Sequence, residues 1–105
     1  MANPHRGEID AMIGGERHVL CLTLGALAEL ESRLKAGDLI GLSERFEKGR
    51  VSAADLIALI GAGLRGGGND ISDDDLARLT IEGGLTGAAR IAAELLRVTF
   101  GEIET

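Results

Sequence analysis

The chain has 105 residues, with 11 Lys and Arg against 17 Asp and Glu for a net charge of −6, one Cys, and neither Trp nor Tyr. Such a length supports one domain around one core. The lone Cys21 excludes an internal disulfide, and an acidic chain without Trp or Tyr to stack on bases argues against nucleic-acid binding.

No apolar run reaches the roughly 18 residues that a membrane span needs, and MANPHRGEID lacks the apolar stretch of a signal peptide. The expectation is a cytoplasmic protein. Residues 6–24 predict a β-hairpin, because Ile9, Ala11 and Ile13 alternate with Glu8, Asp10 and Met12, and Leu20, Leu22 and Leu24 alternate with Val19, Cys21 and Thr23. Gly14-Gly15-Glu16-Arg17 lies between the two rows. A two-residue Gly-Gly turn or a four-residue loop keeps both rows on one face, whereas a three-residue loop does not.

From about Leu24 the period becomes helical, with Leu27, Leu30 and Leu34 as the apolar stripe and Glu29–Arg33 and Glu31–Lys35 as outward pairs, up to Gly37. A short helix follows from Asp38 to Lys48, with Leu39, Leu42 and Phe46 inward. Ser52 to Arg65, SAADLIALIGAGLR, is the predicted central helix. It is apolar all round, which places it inside the domain, and Ser52 with Asp55 forms a capping box. Gly61 and Gly63 each cost about 1 kcal/mol against alanine inside a helix, so another element should lie close against them.

Beyond Gly66-Gly67-Gly68, Ser72 caps a helix with Asp73, Asp74 and Asp75 in its first turn, Leu76 and Leu79 inward, and Gly83-Gly84 as its stop. The last helix runs from about Thr86 to Phe100, ahead of an acidic tail at 101–105. The predicted fold is therefore α+β in a single domain, residues 1–105: an N-terminal β-hairpin at 6–24 packed on a bundle of about five helices at 25–100.

No constellation carries catalysis. Arg65 to Gly68 lacks the spacing and the Lys-Ser or Lys-Thr of a phosphate-binding loop. Counted from Asp70, the sixth and twelfth places of a calcium loop hold Asp75 and Ile81 instead of Gly and Glu. Asn69, Asp70, Asp73, Asp74 and Asp75 are better explained by helix capping. His18 and Cys21 point to opposite faces of one strand, no second Cys pair or His pair completes a zinc set, and nothing in the sequence suggests a third orienting group or a cleft for a dyad of Cys21 with His5 or His18. The expectation is a non-enzyme without metal or cofactor. What is left over is apolar helix surface. On the last helix Ala88, Ile91, Leu95 and Val98 make one stripe, and Ala89, Ala93, Leu96 and Phe100 make a second, which is the candidate partner-binding site.

The segments ANPHRGE, LTLGALAELE, LSERFEKGR with VSAADLIALIGAGLRGGG, and EGGLTGAARIAAELLRVTFG give the chain a family likeness. It resembles the small gene transfer agent and phage tail proteins of alphaproteobacteria grouped as tail assembly chaperones, some of which carry the label tail tube protein. The resemblance implies a non-enzymatic protein of virion assembly that binds the tape measure protein or tail tube subunits before the tail polymerises. A structural tail component, tube or minor tail, is the alternative that the same resemblance offers. A generic intracellular protein-interaction module is the reading that needs no resemblance, and self-association into a homo-oligomer fits either.

Overall fold

The computed structural model describes residues 2–34, 44–46, 48 and 51–100. Strands β1 (Glu8–Ile13) and β2 (Glu16–Cys21) form an antiparallel hairpin in which Ile9 faces Leu20, Ala11 faces His18 and Ile13 faces Glu16. Its connection is the shorter of the two that the sequence allows. Gly14 and Gly15 have φ of +63° and +84°, the pair of left-handed conformations that a two-residue hairpin turn with the natural strand twist requires. Ile9, Ala11, Ile13 and Leu20 are buried on one face. The second apolar row stops short of its predicted end. The strand ends at Cys21, and Leu24, expected in that row, is 86% exposed as the first residue of a helix. Thr23 makes the switch, since its Oγ1 accepts from Ala26 N at 3.1 Å and its carbonyl from Leu27 N at 2.9 Å.

Helix α1 (Leu24–Leu34) buries Ala26 and Leu30 and packs Leu27 against the core. The predicted helix Asp38–Lys48 falls mostly outside the described residues, as do Lys35 and the acidic tail. Residues 44–46 are helical, and Phe46 is buried as expected. Helix α2 (Ala53–Gly66) is the centre of the fold, packing against α1, β2 and both later helices. Its capping box is formed, with Ser52 Oγ accepting from Asp55 N and Asp55 Oδ2 accepting from Ser52 N, both at 3.1 Å. Leu56 and every residue from Ala58 to Leu64 are buried.

Ser52 has a counterpart in Ser72, which caps α3 (Asp73–Ala77) through Asp75 N at 3.1 Å. Leu76 is buried, but the helix ends after five residues and Leu79, expected inside, is 38% exposed. The reason is competition from the hairpin: the chain straightens so that Gly14 N donates to Thr80 O at 2.8 Å and Ile81 bridges Ile13 antiparallel. Gly83 and Gly84, with φ of +87° and +61°, then turn the chain into α4 (Gly84–Phe100). Helix α4 lies on α2 and β1, burying Ala88, Ala92, Leu95, Leu96 and Val98. The architecture is the expected one, an N-terminal antiparallel hairpin followed by a helical bundle in one domain.

Candidate partner-binding surface

Two close approaches decide which surfaces stay open. The C-terminal end of α2 sits on the outer edge of β2. A Cβ on Gly66 would lie 2.0 Å from Cys21 O, and one on Gly67 would lie 2.0 Å from Val19 O. Asn69 seals the seam by donating from Nδ2 to Val19 O at 2.8 Å and to Leu64 O at 3.0 Å. With both amide hydrogens so used, Asn69 Oδ1 faces His18 Nδ1 at 3.1 Å, and an amide oxygen can only accept, so His18 carries its proton on Nδ1. The glycines inside α2 meet their expected neighbours. A Cβ on Gly63 would lie 2.6 Å from Leu95 Cδ2, and one on Gly61 would lie 2.2 Å from Asp73 Oδ1.

Asp73 belongs to a charge cluster that sequence reasoning missed. Arg65 Nη1 donates to Asp73 Oδ1 at 2.9 Å and to Ile71 O at 3.0 Å, while Nη2 donates to Glu29. Arg33 lies 2.5 Å from Asp73 Oδ2, off the line of a hydrogen bond, so the attraction there is of charge alone. Burial alone would lower the Arg65 pKa, but the hydrogen bonds that it donates to Asp73 and Glu29 leave it raised. Glu29–Arg33, expected as an outward pair, is at 3.6 Å and joins α1 to α2 and α3 through Arg65. Only the i,i+4 spacing of Glu29 and Arg33 is visible in the sequence; Arg65 and Asp73 are brought to them by the fold. The cluster pairs two cations with two anions, a structural clamp with no open coordination or reacting site.

Of the other chemistry-bearing side chains, Cys21 Sγ donates weakly to Arg6 O at 3.8 Å while His18 turns to Asn69, so the two do not meet. Burial, and then the charge of Glu8, push the Cys21 thiol up. No group of His, Cys, Asp and Glu placed to hold a metal occurs among the described residues. No helix among those residues is long and apolar enough to cross a membrane.

The candidate stripe on the last helix is divided by the fold. Leu96 is only 3% exposed and belongs to the core, and Phe100 is half-buried against it. Ala89 is half-buried and Ala93 exposed. The excess apolar arc predicted for α4 is therefore used largely within the chain, because α2 and β1 lie on neighbouring sides of it. A partner approaching this side meets Ala93 and the outer parts of Ala89 and Phe100.

Larger open features lie elsewhere. An apolar groove of about 380 Å³ runs between α2, α3 and the start of α4, lined by Ile57, Ile60, Leu76, Leu79, Ile81 and Leu85, of which Leu85 is 68% exposed. A second groove of about 500 Å³ separates β1 from α4. Its β1 wall is Ile9 to Met12, and its α4 wall includes Thr86, Gly87, Arg90, Ile91 and Glu94. Sequence alternation marks the strand but cannot show that the helix opposite stands off from it.

Beside this geometry stand the comparisons with known proteins. No curated protein and no solved structure matches the chain. A family model described as phage tail tube protein, GTA-gp10, matches residues 6–102, which takes in both strands and all the helices described above. The chain belongs to that phage and gene transfer agent tail family.

Proposed function

We propose that the protein is a non-enzymatic tail assembly chaperone, binding tape measure or tail tube subunits before the tail polymerises. The observation that supports this reading most is the asymmetry of its sheet. A subunit that builds a ring through a continuous sheet needs two free strand edges, one for each neighbour. In the described residues the sheet has two strands, and the outer edge of β2 is taken by Gly66, Gly67 and Asn69. One available edge suits a protein that holds a client and then releases it. The tail tube description of the family favours a second reading, that of a structural tail component.

Affinity capture with the tagged full chain from producing cells, together with mass spectrometry of purified particles, separates the two. A chaperone captures tape measure or tube subunits from the cells and is missing from the finished particles. Recovery of the chain in stoichiometric amounts from particles would overturn the chaperone reading in favour of the structural one.

A further inference from the structure

The open edge of β1 has a determinate chemistry. In a hairpin closed by a two-residue turn, Ile13 and Glu16 exchange hydrogen bonds, so Ile9, Ala11 and Ile13 point their backbone groups at β2 while Glu8, Asp10 and Met12 point theirs outward. At one end of the outer edge, Glu8 N donates to Asn3 O at 3.1 Å; at the other, the single-residue bridge of Ile81 with Ile13 begins a third strand. That third strand does not continue. Gly83, at φ +87°, turns the chain away into α4, and the second groove opens where the strand would have gone on along β1. The register turns the N–H and C=O of Asp10 and the N–H of Met12 away from β2, and outside the hairpin's own ladder no backbone–backbone hydrogen bond among the described residues uses them.

We infer that this edge takes up an extended segment of a partner protein as the missing third strand, antiparallel to β1, with apolar and basic residues in alternation. Alternation follows from the pleat: residues on the inner face lie over Gly87 and Ile91, and residues on the outer face come beside Asp10. The basic character follows from charge, since Asp10 and Glu82 line the groove against one cation of its lining, Arg90, while the third acid, Glu94, is paired with Arg97. A second copy of this chain fits poorly. Two β1 edges paired antiparallel about their middle would set Asp10 against Asp10. The inference rests on the reading of the chain as a client-binding protein and names the edge on which the client sits.

The test uses the full chain and a capped hexapeptide of alternating Lys and Val as the probe. We expect saturable binding, slowed hydrogen exchange at the Asp10 and Met12 amides by about tenfold or more, and weaker binding of a Glu-Val hexapeptide. Asp10→Lys should weaken the Lys-Val peptide by about tenfold and strengthen the Glu-Val peptide. Met12→Pro removes an outward N–H without touching the ladder to β2, and should abolish binding of both. The far-UV circular dichroism of each variant establishes that it is folded. Absence of binding to the folded wild type, exchange unchanged at Asp10 and Met12, or a wild-type dimer that Met12→Pro dissolves would each overturn the inference. If cellular capture of tail proteins succeeds while these edge variants still capture them, the edge assignment falls and the chaperone reading stands. Peptide binding without cellular capture would leave the edge standing and overturn the chaperone reading.

Discussion

Replacing Gly66 by alanine tests the contact that closes the β2 edge. Gly66 is the last residue of α2 and has no positive φ, so in an isolated helix alanine would be favoured there by up to about 1 kcal/mol. In the folded chain the new Cβ would stand 2.0 Å from Cys21 O and 3.2 Å from Cys21 C. That neighbour is backbone, so relief requires β2 to withdraw by more than about 1 Å. Withdrawal strains the Asn69–Val19 hydrogen bond, worth about 1 kcal/mol, and loosens Leu20 from the core, an overpacking cost of about 1–3 kcal/mol. Set against the helix gain, the net loss is about 1–3 kcal/mol, or a fall in Tm of about 4–8 °C for each kcal/mol. Gly25→Ala is the control. It lies in α1 with Thr23 Oγ1 at 3.9 Å as the nearest neighbour of a Cβ, and should be neutral or stabilising by up to about 1 kcal/mol. With neither Trp nor Tyr in the chain, urea denaturation is followed by far-UV circular dichroism. A neutral or stabilising Gly66→Ala would refute the close approach of α2 to β2, and with it the argument that only one sheet edge is open.

Leu56→Ala and Ile60→Ala should each cost about 2–5 kcal/mol in the same assay, and a loss under about 1 kcal/mol at both would mean that α2 is not the centre of the core. Asn69→Ala leaves Val19 O without its donor, while Leu64 O keeps the backbone amides of Gly67 and Asn69, and should cost about 1–3 kcal/mol, a cost that Asn69→Asp, lacking the same amide hydrogens, should share; no change in either would remove Asn69 from the seam. The Cys21 thiol has its pKa raised on folding, so its contribution to stability is complete below the unfolded value and is lost as pH rises through the folded value. Alkylation by iodoacetamide at mildly alkaline pH should accordingly be slower in the folded chain than in urea, and equal rates would contradict its placement. Glu94, exposed but hydrogen-bonded to Arg97, has its carboxyl pKa lowered, so its contribution is present above the unfolded value and is lost as pH falls through the folded one. Glu94→Gln should change stability at neutral pH by less than about 1 kcal/mol, and a larger change would mean that the pair is less solvated than its exposure indicates.

Local rules are enough where a few adjacent residues settle the outcome. The period-two rows of the hairpin, the Gly-Gly turn, the Ser52–Asp55 capping box and the all-round apolarity of α2 each act within a turn or a strand, and each is present in the fold. Gly61 and Gly63 go one step further, because a glycine kept inside a helix implies a close neighbour, here Asp73 and Leu95. The neighbour's identity is not legible, since it depends on which elements the chain brings together across 12 residues in one case and 32 in the other. The same limit hides the Arg65 cluster, where Asp73 serves the first turn of α3 locally and a charge clamp globally. It also explains Leu24 and Leu79. Both fit an apolar row, but Thr23 starts a helix at the first and the pull of Ile81 onto β1 ends one at the second.

The candidate stripe on α4 shows why an apolar arc is weak ground for a partner site. The width of the arc is set by how many elements cover the helix, and α2 and β1 together cover enough to take Leu96 into the core. An unpaired strand edge is stronger ground, because its N–H and C=O groups prefer a partner of fixed geometry to water, whereas an apolar face accepts any shape that fits. On β2 that edge is closed by Asn69, which donates to Val19 O, and by the close approach of the last turn of α2, residues whose local pattern suggests no such role. Their work is to remove one edge, and in doing so they leave β1 as the open side of the hairpin, the side on which the proposed client strand would pair.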